Sequence, residues 1–182
     1  MKMPYPFSTR LLAMLGIAVG LSACLGMPDG VEPVENFDAD RYLGKWYEIA
    51  RLDHSFERGL NNVTAEYSLR DDGAIRVVNS GYDSEEGEFD SIEGVARFVR
   101  EDDEAYLKVS FFGPFYGSYV VFELEREDYS YAFVSGFNRS FLWLLAREPE
   151  VSEELRAAFL ERAGELGFDV SEVLWVDHSP PG

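Results

Sequence analysis

The chain reads as all-β, an eight-stranded up-and-down antiparallel barrel with one C-terminal helix packed on the outside and a short ninth strand. Three observations predict this. Short segments that alternate apolar and polar residues recur between residues 43 and 147, each bounded by turn residues. Aromatic residues, which favour strands, make up 15% of the chain. Helical periodicity appears once, after the last of these segments. A length of 182 residues suits a single core.

The first strand is residues 43–51, LGKWYEIAR. Gly44 lets the backbone approach a neighbour closely. Trp46 is large enough to plug the floor of a small cavity. Unbroken alternation gives Trp46, Glu48 and Ala50 one face and Tyr47, Ile49 and Arg51 the other. The next strands are 63–70, 75–81, 91–99 and 106–112, separated by Asp71-Asp72-Gly73, by the polar run 83–90 and by the acidic run 101–104. Strands at 119–125, 131–135 and 141–147 complete eight. Eight strands close around an interior that just holds one small ligand, and closure removes exposed edges. Small inward residues, Ala50, Ala65, Gly94 and Ala96, point to a hollow interior.

The helix begins after Ser152, a good N-cap, with Glu153 and Glu154 in the first turn, where the dipole favours negative charge. Leu155, Ala158, Phe159, Ala163 and Leu166 share a face, and Gly167 ends the helix. Residues 173–176 are the ninth strand, and the tail from His178 is expected to fray.

Residues 1–23 are a targeting segment, with basic Lys2 and Arg10 ahead of the apolar run 11–21. Leu21-Ser22-Ala23-Cys24 resembles a bacterial lipobox, which implies an acylated Cys24. The sorting rule that accompanies this resemblance directs a chain with Leu25 at the next position to the outer membrane. Residues 24–36 read as an acylated tether, 37–178 as the barrel domain and 179–182 as a tail.

Charge and composition exclude several classes. The net charge of −18, or −20 from Cys24 onward, argues against nucleic acid and anionic membrane faces as main partners. Cys24 is the only cysteine, so no intrachain disulfide forms. His54 and His178 lack metal-ligand spacing, and no nucleophile triad or phosphate loop stands out. No catalytic residue, metal or cofactor is expected.

Strand direction places a floor at Trp46 and a mouth at loops 53–61, 83–90, 113–117 and 136–140. Tyr119 and Trp143 are expected to line the upper cavity, with Phe98, Phe111, Val109 and Ala50 also on the inner face. His54, Arg58 and Arg139 sit in mouth loops, placed to steer an anionic headgroup or simply to face water. Phe111, Phe112, Pro114, Phe115 and Tyr116 make an aromatic loop that fits a membrane, a homodimer partner or the ligand's tail.

Gly44-x-Trp46, Trp143-Leu-Leu-Ala-Arg147 before a single helix, and the stretches 37–60, 107–119 and 167–176 together resemble a lipocalin. The resemblance is to the bacterial outer-membrane lipoprotein branch, related to apolipoprotein D. It implies a carrier of amphipathic lipids, lysophospholipids or fatty acids, with no reaction. It also implies that Arg147 packs over the Trp46 indole to seal the floor, and the shared face of Trp143, Leu145 and Arg147 agrees. Glu48 and Glu123 have inward parity, so a charge cluster with Arg147 is expected at the closed end. The readings that compete with a carrier are an envelope interaction module and, behind it, a lipid-modifying enzyme.

Overall fold

The structure is a computed structural model that describes residues 25–181. The targeting segment and Cys24 lie outside the described residues. A short helix α1 (Ala39–Tyr42) leads into β1 (Gly44–Leu52), β2 (Leu60–Leu69), β3 (Ile75–Asp83), β4 (Glu88–Phe98), β5 (Tyr106–Ser110), β6 (Gly117–Leu124), β7 (Tyr131–Ser135) and β8 (Leu142–Ala146). Helix α2 (Glu153–Glu165) and β9 (Val173–Trp175) follow. Each strand pairs antiparallel with the next, and β1 pairs with both β2 and β8, so the barrel closes. The ninth strand extends the seam by pairing Trp175 with Ala50 and Val173 with Leu52.

Two apolar layers result from the pleat. One fills the lower interior around Trp46, Tyr42, Tyr67, Leu107, Val121 and Leu145. The other lies outside, where Ile49, Phe122, Phe133, Leu142 and Leu144 receive Phe159 and Ala163 of α2. Ser152 caps α2 by accepting from the Leu155 amide at 3.2 Å.

Two β-bulges break the expected alternation. In β1 the register shifts between Glu48 and Ala50, so Ile49 and Ala50 both join the outer layer and Arg51 turns inward opposite Trp143. In β6 the shift falls between Val121 and Glu123. Phe122 joins the outer layer, and Glu123 is half-buried on the outer surface beside Arg162 of α2 at 3.9 Å. An extra residue in one strand bends it and resets every later side chain by one face. The alternation therefore failed at Ala50, Arg51 and Glu123.

The segment before the barrel, read from its composition as a short tether, packs against the barrel over its described residues. The Gly26 amide donates to Ser118 Oγ at 3.0 Å, Val31 is buried, and the Val34 amide donates to the Val121 carbonyl at 2.9 Å. The chain then crosses the closed end through Phe37 and α1. The C-terminal residues are also held: a ring nitrogen of His178 lies 2.9 Å from the Glu48 carbonyl oxygen, and Asn62 Nδ2 donates to the Ser179 carbonyl at 3.0 Å.

Candidate functional site

The closed end is built around Trp46, which is fully buried and donates its indole N–H to the Tyr42 carbonyl at 2.8 Å. The Arg147 guanidinium carbon lies 3.9 Å from the indole centroid. Its nitrogens donate to the carbonyls of Lys45 at 2.9 Å, Arg41 at 2.8 Å and Tyr129 at 3.3 Å. Gly44 takes φ +92°, and a Cβ there would stand 3.6 Å from Arg147 Nη1. The backbone conformation favours glycine, while a Cβ would meet Arg147 only at ordinary contact distance. Phe98 packs edge-on to Phe37, 6.2 Å between centroids, so it belongs to this lower plug.

Above the indole, three hydroxyls meet. Tyr119 Oη is 2.7 Å from Tyr42 Oη and 2.9 Å from Tyr67 Oη. Burial raises all three phenols well above their ordinary range, so they stay neutral and bond to one another. Tyr42 and Tyr67 were not singled out from sequence. Their partner Tyr119 was, and strand parity already put Tyr67 on the inner face.

The upper interior is polar on one side. Arg51 Nη1 donates to Glu48 Oε1 at 2.7 Å, and Arg51 Nη2 donates to the carbonyls of Glu57 at 2.8 Å and Leu60 at 3.2 Å. Trp143 Nε1 donates to Glu57 Oε2 at 3.2 Å. His54 stacks between Phe56 and Phe141, with centroids 5.2 and 4.8 Å away. The charge cluster is therefore Glu48, Arg51 and Glu57 below the mouth. Arg147 stays at the floor, and Glu123 lies outside. Three buried polar atoms in and around this region have no hydrogen-bond partner: Arg51 Nε, His54 Nε2 and Asn79 Oδ1.

Burial sets the protonation of the two carboxyls, and Arg51 works against it. Burial pushes the Glu48 carboxyl up to about 8, the Glu57 charge adds to the rise, and Arg51 opposes it. Burial also raises Glu57, against the Trp143 hydrogen bond and Arg51. Burial and then the Arg51 charge lower His54 to about 4, leaving a neutral imidazole near neutral pH.

On the other side the wall is apolar. Val109, Phe111, Tyr119 and Trp143 pack against the inner cluster yet remain only partly buried. Inward side chains that keep accessible surface border open space. The small residues do not mark that space as expected. Ala50 lies in the outer layer, and a Cβ on Gly94 would come within 2.7 Å of Phe111 Cδ1, so the Phe111 ring occupies Gly94's room. Arg139 also differs from expectation. Its Nε donates to the Leu166 carbonyl and its Nη2 to the Asp29 carbonyl, both at 2.7 Å, which ties a mouth loop to the end of α2 and to the N-terminal segment. Depressions of about 410 Å³ at Leu69–Asp72 and about 380 Å³ beside Glu35, Arg100 and Glu104 lie outside the barrel and are lined mostly by charged residues. Among the described residues, no cluster of His, Cys, Asp or Glu is arranged to hold a metal ion.

Comparison with known proteins agrees with this architecture. A family model described as a lipocalin-like domain matches residues 37–178. The outer membrane lipoprotein Blc of Vibrio cholerae is 57% identical over 167 residues, covering 92% of this chain and 98% of that protein. The outer membrane lipoprotein Blc of Escherichia coli is 55% identical over 149 residues, covering 82% and 84%. Among solved structures, insecticyanin from the tobacco hornworm Manduca sexta superposes with a TM-score of 0.67 at 22% identity, covering 85% of this chain and 87% of that one. A closed eight-stranded barrel, one outer helix and a family match across residues 37–178 lead to one conclusion: this chain belongs to the lipocalin family.

Proposed function

We propose that this protein is an outer-membrane lipoprotein, acylated at Cys24, that carries a single amphipathic lipid in its barrel without transforming it. The observation that carries the reading is the two-sided upper interior. Val109, Phe111, Tyr119 and Trp143 offer apolar surface to an acyl chain. The unpartnered Arg51 Nε and His54 Nε2 offer polar contacts for a headgroup nearer the mouth. Lysophospholipids and fatty acids have that division of character along their length. The names of the Vibrio and Escherichia relatives support attachment to the outer membrane, and the lipobox-like residues ahead of Leu25 supply the attachment point.

Titration of the purified protein with lysophosphatidylethanolamine and with palmitate, followed by Trp fluorescence, tests the reading. Saturable quenching at one lipid per chain, lost in Trp143→Phe, is expected, with the lipid recovered unchanged. Hydrolysed lipid would replace the carrier with an enzyme. Absence of saturation with either lipid would leave the barrel as a scaffold for other envelope proteins.

A further inference from the structure

We propose that the barrel sits mouth-down on the bilayer that holds its own acyl chains, with the phenylalanines of the rim loops in the membrane interface. The inference rests on acylation of Cys24 and adds an orientation to it.

The argument starts from where the tether is fastened. Adjacent strands run in opposite directions and β1 rises from the floor, so β6 descends from the mouth and Ser118 lies at its upper end. Gly26 is bonded to that serine. Asp29 is bonded to Arg139, which belongs to the mouth loop between β7 and β8. From there the segment runs toward the closed end, where the Phe37 amide donates to the Asp103 carbonyl at 2.8 Å. The described chain therefore begins at the mouth. Only Leu25 separates Cys24 from the fastened Gly26, so covalent geometry allows their Cα atoms at most about 7 Å. The floor lies a strand's length away, roughly 25 Å for an eight-residue strand. A lipid on Cys24 keeps the mouth near the bilayer and the floor away from it.

The mouth is dressed for that position. Phe112 and Phe115 are 72% and 67% exposed in the loop that leads directly to Ser118, and Leu25 beside the anchor is 40% exposed. Phe56 in the loop after β1 and Phe89 at the upper end of β4 are 62% and 59% exposed. Exposed aromatic side chains at one end of a polar molecule gain by entering an apolar interface, and one lipid anchor alone holds a soluble domain in no fixed pose. Acidic residues in the 83–90 loop, among them Glu85, Glu86 and Glu88, select a bilayer of low negative charge, such as one rich in phosphatidylethanolamine. A mouth held on that surface lets a lipid pass from bilayer to barrel without crossing water.

The acylated full chain, reconstituted in phosphatidylethanolamine and phosphatidylcholine vesicles, tests this. Mass spectrometry first establishes the lipid on Cys24. With Cys24 blocked by that lipid, Phe115→Cys or Glu127→Cys supplies one thiol for an environment-sensitive dye at the mouth or at the floor-end loop. A blue shift and about fivefold protection from an aqueous quencher at position 115, with neither at 127, is expected for interfacial burial. Equal exposure at both positions on a chain proven to be lipidated would overturn the orientation and leave acylation standing. A chain without lipid on Cys24 would overturn both. Concentration-dependent shielding of position 115 in the unacylated Cys24→Ala chain, without vesicles, would mean that a second copy covers the rim, and would also overturn the proposal.

Discussion

The two ends of this barrel solve opposite problems with similar residues. Each holds an arginine and a tryptophan. At the closed end Arg147 lies on Trp46 and donates to three backbone carbonyls, so its charge meets fixed acceptors and an aromatic face. Near the mouth, Arg51 faces two carboxyls and keeps its Nε unpartnered, while Trp143 stays half-buried on a carboxylate that is itself raised in pKa. Donor groups that are used up make a wall. Donor groups left over at a buried position make a place where something else can bind. The contrast is between an end that specifies the fold and an end that gives up some stability to receive a ligand.

The widest separation between the ends should come from Trp46→Ala. Removing a fully buried indole should cost about 3–5 kcal/mol, read as a lower midpoint in urea or thermal melts. The equivalent loss at the mouth, Trp143→Ala, should cost visibly less; parity between the two would erase the contrast. Next is Arg147→Ala, expected to lose about 2–3 kcal/mol through its hydrogen bonds and its contact with the indole. Arg147→Lys should recover only part of that, because one ammonium cannot reach three carbonyls and lie flat on Trp46.

The pH dependence sharpens the comparison at the mouth. Glu48 is held at about 8, above its ordinary value, so its contribution is full below about pH 4.5 and fades as pH rises through 8. His54 is held at about 4, below its ordinary value, so its contribution is full above about pH 6.5 and fades as pH falls through 4. Glu48→Gln should flatten the alkaline decline in stability, and His54→Phe the acid one. An unchanged slope in Glu48→Gln would remove Glu48 from the titrating cluster.

Smallest is Arg139→Ala, which removes a clamp between loop, helix and N-terminal segment. A loss of about 1 kcal/mol with unaltered lipid affinity is expected by denaturant melts and fluorescence titration. A drop in affinity at unchanged stability would return Arg139 to the headgroup role that its loop position suggested.

The closed end was the more legible in sequence, for a physical reason. Gly44, Trp46 and Arg147 act at strand termini, where parity has little distance over which to fail. Trp143, Leu145 and Arg147 alternate without interruption along β8. The mouth lies beyond the bulges, and there counting by twos gave Ala50 a place inside and Arg51 a place outside. A clue was present: Ile49 and Ala50 are adjacent apolar residues between Glu48 and Arg51, a pattern that fits two consecutive outward positions. Phe122 followed by Glu123 gave a weaker clue. Glu57 carried no periodic signal at all, because its loop is placed by a bond from nearby Arg51 and a long-range one from Trp143. The packed N-terminal segment was masked by its Gly, Pro and acidic residues, which commonly mark mobile linkers.

The extra residue in β1 also makes the character of the upper chamber unusually sensitive to chain length. Excising Ile49 would only restore plain alternation and leave Arg51 inward, whereas inserting one residue after Ala50, with the bulge kept, would shift the frame of the strand's end relative to Trp46. Arg51 would then swing to the helix-covered side and Leu52 would turn inward. A single gained codon would thus exchange a charged vestibule for a greasy one while leaving the plug beneath it intact, a change of lining made without substituting any residue.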